Sequence, residues 1–210
     1  MENKLSRTEK RKALNYATLL NAGKTLFSEN GFQNTTIKDI TDYADVGYGT
    51  FYLYFDSKEA LLEKAVDEFA QNLIEYKSVR TIKGLSIRDR MYYGTKDILE
   101  FIYENRKFVK MVCMLSVSDS KLVTIADSVW SRIFERMFSD HSYFIKKGYN
   151  KESISLDSAS WKIYGWTLKG IIEGIVSNDL QEEEIDQLSR IYADMNFFTF
   201  IREEVQEQER

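Results

Sequence analysis

The chain has 210 residues, 43% of them hydrophobic and 30% charged, which is the composition of an ordinary soluble globular protein. It contains no apolar run of roughly eighteen residues, which argues against a membrane-spanning helix. No apolar segment follows the basic N-terminus and Cys113 is the single cysteine. We therefore expect no signal peptide, no internal disulfide and a cytoplasmic location.

The absence of proline is the most informative feature of the composition. Proline interrupts helices but is common in turns and edge strands, and this chain has none, with only 10 glycines. We therefore predict an all-α fold of about nine helices with short connections.

The net charge of −4 is unevenly distributed along the chain. Residues 1–12 carry five lysines and arginines against two glutamates, whereas residues 182–210 carry nine acidic residues against three arginines. Such a distribution would turn the N-terminal end towards a polyanion. A solvated basic arm without a partner would show the same pattern, so charge alone does not decide between the two.

Helical periodicity and capping residues predict four helices in the first part of the chain. Gly31 can close the first helix in the left-handed conformation. Thr36 and Asp39 form a capping-box pattern at the start of the second helix, and Ser57 caps the fourth. The four helices are expected at 7–29, 37–44, 48–55 and 58–79.

The remainder of the chain is also expected to be helical, because strand-like alternation never persists there. The breaks between its helices fall at small and polar residues. The five helices are expected at roughly 88–104, 106–117, 119–147, 153–178 and 182–206.

The two short helices at 37–44 and 48–55 have the arrangement with which a second helix enters the major groove of DNA. At 100° per residue, Phe51 and Phe55 point towards the core, whereas Gly49 and Leu53 point outwards. An outward glycine costs about 1 kcal/mol of helix stability relative to alanine. We therefore interpret Gly49 as permitting close approach of another surface.

Lys58 stands in the first turn of the long fourth helix. A cation there opposes the helix dipole by roughly 0.3–1 kcal/mol, while the N–H groups of the same turn favour an anion. A phosphate bound at this point would account for the lysine. Together with Gly49, this favours DNA binding over a purely structural arrangement.

Residues 19–62 resemble the N-terminal domain of the TetR family of bacterial transcription regulators. The rest of the chain agrees with that family only in length and helical content. The resemblance implies a three-helix, helix-turn-helix DNA-binding domain at 1–60, with 1–8 as a flexible basic arm, and a ligand-binding and dimerisation domain at 61–210. The matching residues are Gly31, Phe32, Thr35, Thr36, Ile37, Ile40, Ala44, Val46, Gly49, Thr50, Phe51, Tyr52, Tyr54, Phe55, Ser57, Lys58 and Glu59.

The resemblance also implies the DNA contacts, in which phosphate contacts position the protein and base contacts specify the sequence. Tyr48 would be the main reader of base edges. Tyr48, Gly49 and Thr50 would face the bases, and Thr36, Lys38, Tyr52, Tyr54 and Lys58 would contact phosphates.

Three residues depart from the family pattern. Asp45 replaces a turn glycine, although aspartate tolerates the left-handed conformation better than most residues. Gly47 replaces a small hydroxyl residue at the helix cap, at a cost of a few tenths of a kcal/mol. Asp56 stands where a basic residue is common and would repel phosphate if it faced DNA.

In the family, the last two helices usually form a four-helix bundle between two copies of the chain. Apolar residues spaced three or four apart, starting at Ile185, would suit such an interface, although an intramolecular core would give the same pattern. A dimer would read a palindromic operator with its two DNA-binding domains, one from each copy of the chain. The implied interface residues are Trp166, Gly170, Ile171, Gly174, Leu188, Ile191, Met195 and Phe198.

A pocket for a small, partly apolar effector is expected in the C-terminal part. Aromatic residues at helical spacing are more often core than pocket, so both interpretations stay open for each residue. The candidates are Phe101, Phe108, Met111, Met114, Trp130, Phe134, Phe138, His141 and Trp161.

An enzyme is disfavoured, because one histidine and one cysteine leave no histidine cluster and no Cys–His pair. No cofactor or metal is expected. The sequence therefore predicts a repressor that an effector releases from its operator. The alternative is an all-helical dimeric binding or interaction module with weakened DNA binding.

Overall fold

A computed structural model describes residues 6–76, 85–115, 122–127, 130–131, 158–177 and 181–200. Within these ranges the fold is all-α and contains no strand, which confirms the predicted fold class. No helix in the described ranges is long and apolar enough to span a bilayer.

The helix boundaries agree closely with the predicted ones in most places. Residues 122–127 and 130–131, which fall inside the helix predicted at 119–147, are also helical. The principal helices are α1 (Arg7–Asn30), α2 (Ile37–Tyr43), α3 (Tyr48–Phe51), α4 (Lys58–Glu75), α5 (Ile87–Glu104), α6 (Arg106–Leu115), α7 (Ser158–Ser177) and α8 (Glu182–Phe200).

The third helix is shorter than predicted. It was expected to continue to Phe55, but α3 ends at Phe51 and the chain continues as a tight turn. The N–H of Leu53 bonds to the oxygen of Thr50, and the N–H of Tyr54 to that of Phe51, each three residues back. This tighter hydrogen bonding winds the last turn more closely than an α-helix does.

α1 begins at Arg7, inside the segment 1–8 that was predicted to be a flexible arm, because Ser6 caps it. The Ser6 hydroxyl accepts from the N–H of Glu9 at 3.2 Å, and the Glu9 carboxylate accepts from the N–H of Ser6 at 2.7 Å. Residues 7 and 8 are therefore helical, which corrects the predicted length of the arm.

The chain forms two compact units, and α4 contributes to both. One contains Met1–Phe69 and Lys107–Val129, and the other Ala70–Arg106 and Trp130–Arg210. The division of function between 1–60 and 61–210 stays a prediction, but α6 groups with the N-terminal helices and not with its neighbour α5.

The N-terminal unit is built on a core shared by α1, α3 and α4. Phe27, Phe51 and Leu61 are completely buried. Gly23 permits the close approach of α1 and α4, because a Cβ atom at this position would collide with Leu61.

The second unit is organised by the packing of α5 against α8. The Arg88 guanidinium binds both carboxylate oxygens of Asp194, at 2.6 and 2.7 Å. Asp186 accepts from the Lys96 ammonium at 2.6 Å and from the Tyr92 hydroxyl at 2.5 Å. These polar contacts fix the register of two helices whose apolar faces are buried.

Candidate DNA-binding site

The turn between α2 and α3 fixes the angle of the helix-turn-helix. Asp45 occupies the left-handed region with φ 50°, as predicted for a residue in the place of a turn glycine. The N–H of Val46 bonds to the oxygen of Thr41 at 3.0 Å. Ile40 in α2 and Phe51 in α3 are both fully buried, so the two helices are anchored in one core.

One edge of α3 and of the turn after it faces outwards. This recognition edge consists of Tyr48, Gly49, Tyr52 and Leu53. Tyr48 is 53% exposed and Leu53 77%, and a Cβ atom at Gly49 would meet no atom of the described residues within 4 Å. The predicted outward direction of Gly49 and Leu53 is confirmed, even though the helix is shorter than expected.

Tyr48 and Tyr52 form a pair on the recognition edge. Their hydroxyl oxygens are 3.2 Å apart, and their rings meet edge to face with centroids 5.7 Å apart. The hydrogen bond between the two hydroxyls is the main cause that raises the pKa of Tyr52 above its ordinary value. The two hydroxyls therefore lie together at the exposed edge, where they could exchange this bond for one to a base or phosphate.

Thr50 and Tyr54 are less accessible than the recognition edge. Both are half-buried. The Tyr54 ring meets Tyr16 of α1 edge to face at 6.2 Å, and Tyr16 in turn stacks on Phe55 at 5.2 Å. Packing therefore fixes the ring of Tyr54, and its predicted phosphate contact stays a prediction.

The start of α2 has the predicted capping box. The Thr36 hydroxyl accepts from the N–H of Asp39 at 3.1 Å and donates to its carboxylate at 2.7 Å. The bond from the Thr36 hydroxyl, followed by one from the Thr36 N–H to the same carboxylate at 2.8 Å, lowers the pKa of Asp39. Lys38 pairs with Asp42 at 2.5 Å, although both side chains are largely exposed. Phosphate contacts by Thr36 and Lys38 would therefore compete with carboxylates that are already in place.

Lys58 has protein partners that the sequence did not indicate. Its ammonium donates to the backbone oxygens of Phe32 and Thr35, at 2.7 Å each, and lies 4.2 Å from the centre of the Phe32 ring. Burial lowers the pKa of Lys58. These contacts account for a lysine at the start of α4 without a bound phosphate. The interpretation that the lysine requires a phosphate because it opposes the helix dipole is therefore wrong, and its phosphate contact stays a prediction.

One exposed aromatic residue in this region was not among the residues predicted from the sequence. Tyr43, the last residue of α2, is 60% exposed. A tyrosine with a large apolar surface directed outwards could have been noticed from the sequence, but the family resemblance implies no role for this residue.

The predicted effector-pocket residues fall in both compact units, and their assembly into one pocket stays a prediction. Phe101 and Trp130 are buried in one compact unit, and Phe108 and Met111 in the other. The Phe108 ring packs on Phe69 at 5.3 Å. Phe134, Phe138 and His141 lie outside the described residues, as does the side chain of Trp161.

Met111 and Met114 line a groove of a different kind. Its volume is about 440 Å³, and it lies between α6 and the end of α1 with the turn after it, including Phe32. Met114 is largely exposed, which does not fit an enclosed pocket. Met111 and Met114 belong to the compact unit of the N-terminal helices, and Phe101 belongs to the other unit.

The predicted dimer residues lie on exposed stripes of α7 and α8. On α7, Trp166 is largely exposed, and Cβ atoms at Gly170 and Gly174 would meet no described atom within 4 Å. Ile171 and Leu188 are half-buried. On α8, Ile191, Met195 and Phe198 are exposed, whereas Ile185 is buried and faces inwards.

A metal centre finds no support in the described ranges. They contain no group of three or more histidine, cysteine, aspartate or glutamate residues that could hold a metal ion. The single cysteine is half-buried.

Comparison with known proteins agrees with this geometry. The family model of bacterial regulatory proteins of the tetR family matches residues 19–65, the segment that contains α2, α3 and the start of α4. The transcriptional regulator YvdT of Bacillus subtilis is 27% identical over 195 residues, which cover 89% of this chain and 93% of YvdT. The repressor KstR2 of Rhodococcus jostii is 37% identical over 71 residues, which cover 33% of this chain and 34% of KstR2.

Solved structures show the same architecture. A TetR-family transcriptional regulator from Mesorhizobium loti superposes with a TM-score of 0.72 at 16% identity, covering 91% of this chain and 99% of that one. At this identity the similarity establishes the fold.

Proposed function

Through its N-terminal domain this chain belongs to the TetR family of bacterial transcriptional regulators, and we propose that it binds duplex DNA with the recognition edge. The observation that carries the proposal is the edge itself, where two exposed tyrosines flank a glycine that no side chain of the described residues covers. A bare backbone permits close approach to base edges, and the tyrosine hydroxyls can bond to bases or phosphates. The inward residues Phe51 and Phe55 hold the edge rigidly.

Two copies of the chain would act together. One short recognition element buries little surface, whereas two related by twofold symmetry read two half-sites of a palindrome. The exposed apolar stripes of α7 and α8 support a homodimer, because exposed aromatic and aliphatic patches mark interaction sites. Gly170 and Gly174 would let helices of the two copies approach closely.

Regulation would follow from two conformations of the dimer that differ in the spacing of its two DNA-binding domains. The dimer without effector would fit the operator, and an effector that prefers the other spacing would release it. Discrimination by a few kcal/mol suffices for such a shift. Repression is supported by a relative, since KstR2 is named a transcriptional repressor.

Fluorescence anisotropy with the upstream region of the protein's own gene tests DNA binding. The parent should bind with an affinity that falls steeply with salt. Tyr48→Ala should weaken binding and alter the preference among operator variants, because a base contact is lost. The matched control is Tyr103→Ala on α5, outside the N-terminal unit, which should bind like the parent. Parental binding and sequence preference in Tyr48→Ala would refute the assignment of the edge.

The interaction module with weakened DNA binding remains the second candidate. It is favoured by acidic residues near the recognition edge, since Asp42, Asp45 and Asp56 are all exposed. A purified dimer that shows no salt-sensitive association with any duplex would support this candidate instead.

A further inference from the structure

The groove between α6 and the end of α1 is open to a ligand and lies within one compact unit. Its volume of about 440 Å³ falls in the range of roughly 300–1,000 Å³ that is typical of small-molecule sites. α6 supplies one wall, and the last turn of α1 with the segment after it supplies the other. The groove is therefore large enough for a small organic molecule.

The α6 wall changes in character along the helix. At 100° per residue, its five lining residues fall within about 140° of one another and so form a single face. The face begins with two exposed cations, Lys107 and Lys110, and ends with Met111, Met114 and Leu115. Lys107 and Met114 are about 10 Å apart along the helix axis. This wall is thus cationic at one end and apolar at the other.

The charges that line the groove favour an anion. Lys107 and Lys110 take part in no ion pair within the described ranges. The opposite wall contributes one carboxylate, that of the exposed Glu29, which is not paired with either lysine. Two ammonium groups against one carboxylate leave the lining with one net positive charge, so an acid group is attracted to the lysine end.

The opposite wall is apolar at its base. Phe27 and Phe32 are buried there, with ring centroids 5.2 Å apart. A Cβ atom at Gly31 would meet no described atom within 4 Å, so the backbone between these two phenylalanines is not covered by a described side chain. The apolar part of a ligand can therefore lie between this wall and the methionines of α6.

We propose that the groove binds an amphipathic organic anion, with its acid group at Lys107 and Lys110 and its apolar chain along Met111 and Met114. Lysine ammonium groups form charge-assisted hydrogen bonds to a carboxylate. Methionine side chains are flexible and adapt to apolar ligands of different shapes. The largely exposed Met114 would be withdrawn from water when the chain covers it, which favours binding.

The groove adjoins the segment from which the helix-turn-helix begins, and its link to DNA rests on the proposed function. Phe32 lines the groove, and its backbone oxygen accepts from the Lys58 ammonium at 2.7 Å. The same ammonium binds the oxygen of Thr35, which precedes the Thr36 cap of α2. A ligand that moves Phe32 would therefore disturb the start of α2, and the anion would act as an effector.

The first test measures binding without DNA, by calorimetric titration with octanoate and with the neutral octanol. Octanoate should bind the parent more tightly than octanol does. Lys107→Gln combined with Lys110→Gln should weaken octanoate binding about fivefold and leave octanol binding unchanged, because only the exposed charges are removed.

The matched control is Lys10→Gln combined with Lys12→Gln. Both lysines are exposed near the start of α1, at least about 22 Å along the helix axis from the groove residues of α1. This control removes the same charge and should bind octanoate like the parent. No octanoate binding by the parent, or equal octanoate affinity in the two double variants, would overturn the proposal.

The second test locates the ligand by NMR of ¹³C-labelled methionine methyl groups. Octanoate should shift the signals of Met111 and Met114, which Met111→Leu and Met114→Leu identify. Shifts confined to the other methionines would place the ligand elsewhere and overturn the proposed site.

The third test adds octanoate to the anisotropy assay with the operator duplex. Octanoate should weaken operator binding by the parent but not by the variant that lacks Lys107 and Lys110. Unchanged operator affinity in a parent that binds octanoate would overturn the effector role. A parent that binds octanoate in the groove but binds no duplex would refute the proposed function alone, so the two failures are distinguishable.

Discussion

Lys58 fastens the turn between α1 and α2 through Phe32. Its ammonium donates to the Phe32 backbone oxygen at 2.7 Å and lies 4.2 Å from the centre of the same residue's ring. A second bond at 2.7 Å goes to the oxygen of Thr35, immediately before the Thr36 cap of α2. The start of α4 therefore holds in place the backbone from which the helix-turn-helix begins.

Replacing Lys58 by methionine separates the two roles considered for this residue. The loss of two charge-assisted hydrogen bonds should cost about 2 kcal/mol of unfolding free energy, measured by urea denaturation. If the lysine only fastens the turn, DNA affinity falls but the slope of log K against log salt is unchanged. A phosphate clamp would instead flatten that slope by about 0.9. Parental stability in Lys58→Met would contradict the fastening role.

Asp45 in its left-handed conformation predicts a stabilising substitution. The strain for a non-glycine residue is about 1–2 kcal/mol, and glycine relieves it at a cost of about 0.5–1 kcal/mol in chain entropy. Because aspartate tolerates this conformation better than most residues, its strain lies at the lower end of that range, and Asp45→Gly should raise the unfolding free energy by up to about 0.5 kcal/mol. Asp42→Gly, inside α2, is the control and should lower it by about 0.3 kcal/mol from helix propensity, together with the small contribution of the exposed Lys38 pair. A loss of stability in Asp45→Gly would show that the aspartate side chain has a structural role.

The exposed stripe on α8 predicts the effect of a charge on oligomeric state. Ile191 is 56% exposed, and Ile191→Glu should convert a dimer to monomer, because an unpaired carboxylate cannot be buried at a helix interface. Leu14→Glu on α1 provides the matched control, since Leu14 is 64% exposed. Sedimentation velocity should show the dimer retained in this control. Equal sedimentation of both variants and the parent would place the interface elsewhere.

Asp186 predicts part of the dependence of stability on pH. Its hydrogen bond from Lys96, followed by that from Tyr92, holds its pKa below the ordinary value for aspartate. A lowered pKa contributes stability above the unfolded pKa of about 4, and this contribution is lost as the pH falls through the folded value. Asp186→Asn should therefore melt below the parent at pH 7, and the difference should shrink below about pH 4. Parallel melting curves across this range would contradict the role of the carboxylate.

Local rules predicted the N-terminal part of the fold well. The cap at Thr36, the positive φ at Asp45, and the inward direction of Phe51 and Phe55 all follow from neighbouring residues and helical periodicity. Gly49 was recognised as exposed for the same reason. These features depend on contacts within a few residues, which a sequence displays directly. Gly31 closes α1 with a positive φ, but its ψ of 157° lies outside the predicted left-handed conformation.

Features that depend on distant contacts were not predictable in this way. The partners of Lys58 lie 23 and 26 residues earlier in the chain. The assignment of Met111 and Phe101 to different compact units depends on which helices α6 packs against. Helical periodicity identifies the buried face of a helix but not the helix that covers it. The candidate pocket residues could therefore be named from the sequence, but their placement relative to one another could not be predicted.

The most direct test of the recognition edge is Gly49→Ala. A methyl group at this position meets no described atom within 4 Å, so the substitution should leave the fold intact and raise its stability by about 0.5–1 kcal/mol. The same methyl group would stand between the backbone and the bases, so anisotropy with the operator duplex should show affinity at least tenfold weaker, equivalent to about 1.4 kcal/mol. A stabilised Gly49→Ala protein that binds the operator as tightly as the parent would contradict the account.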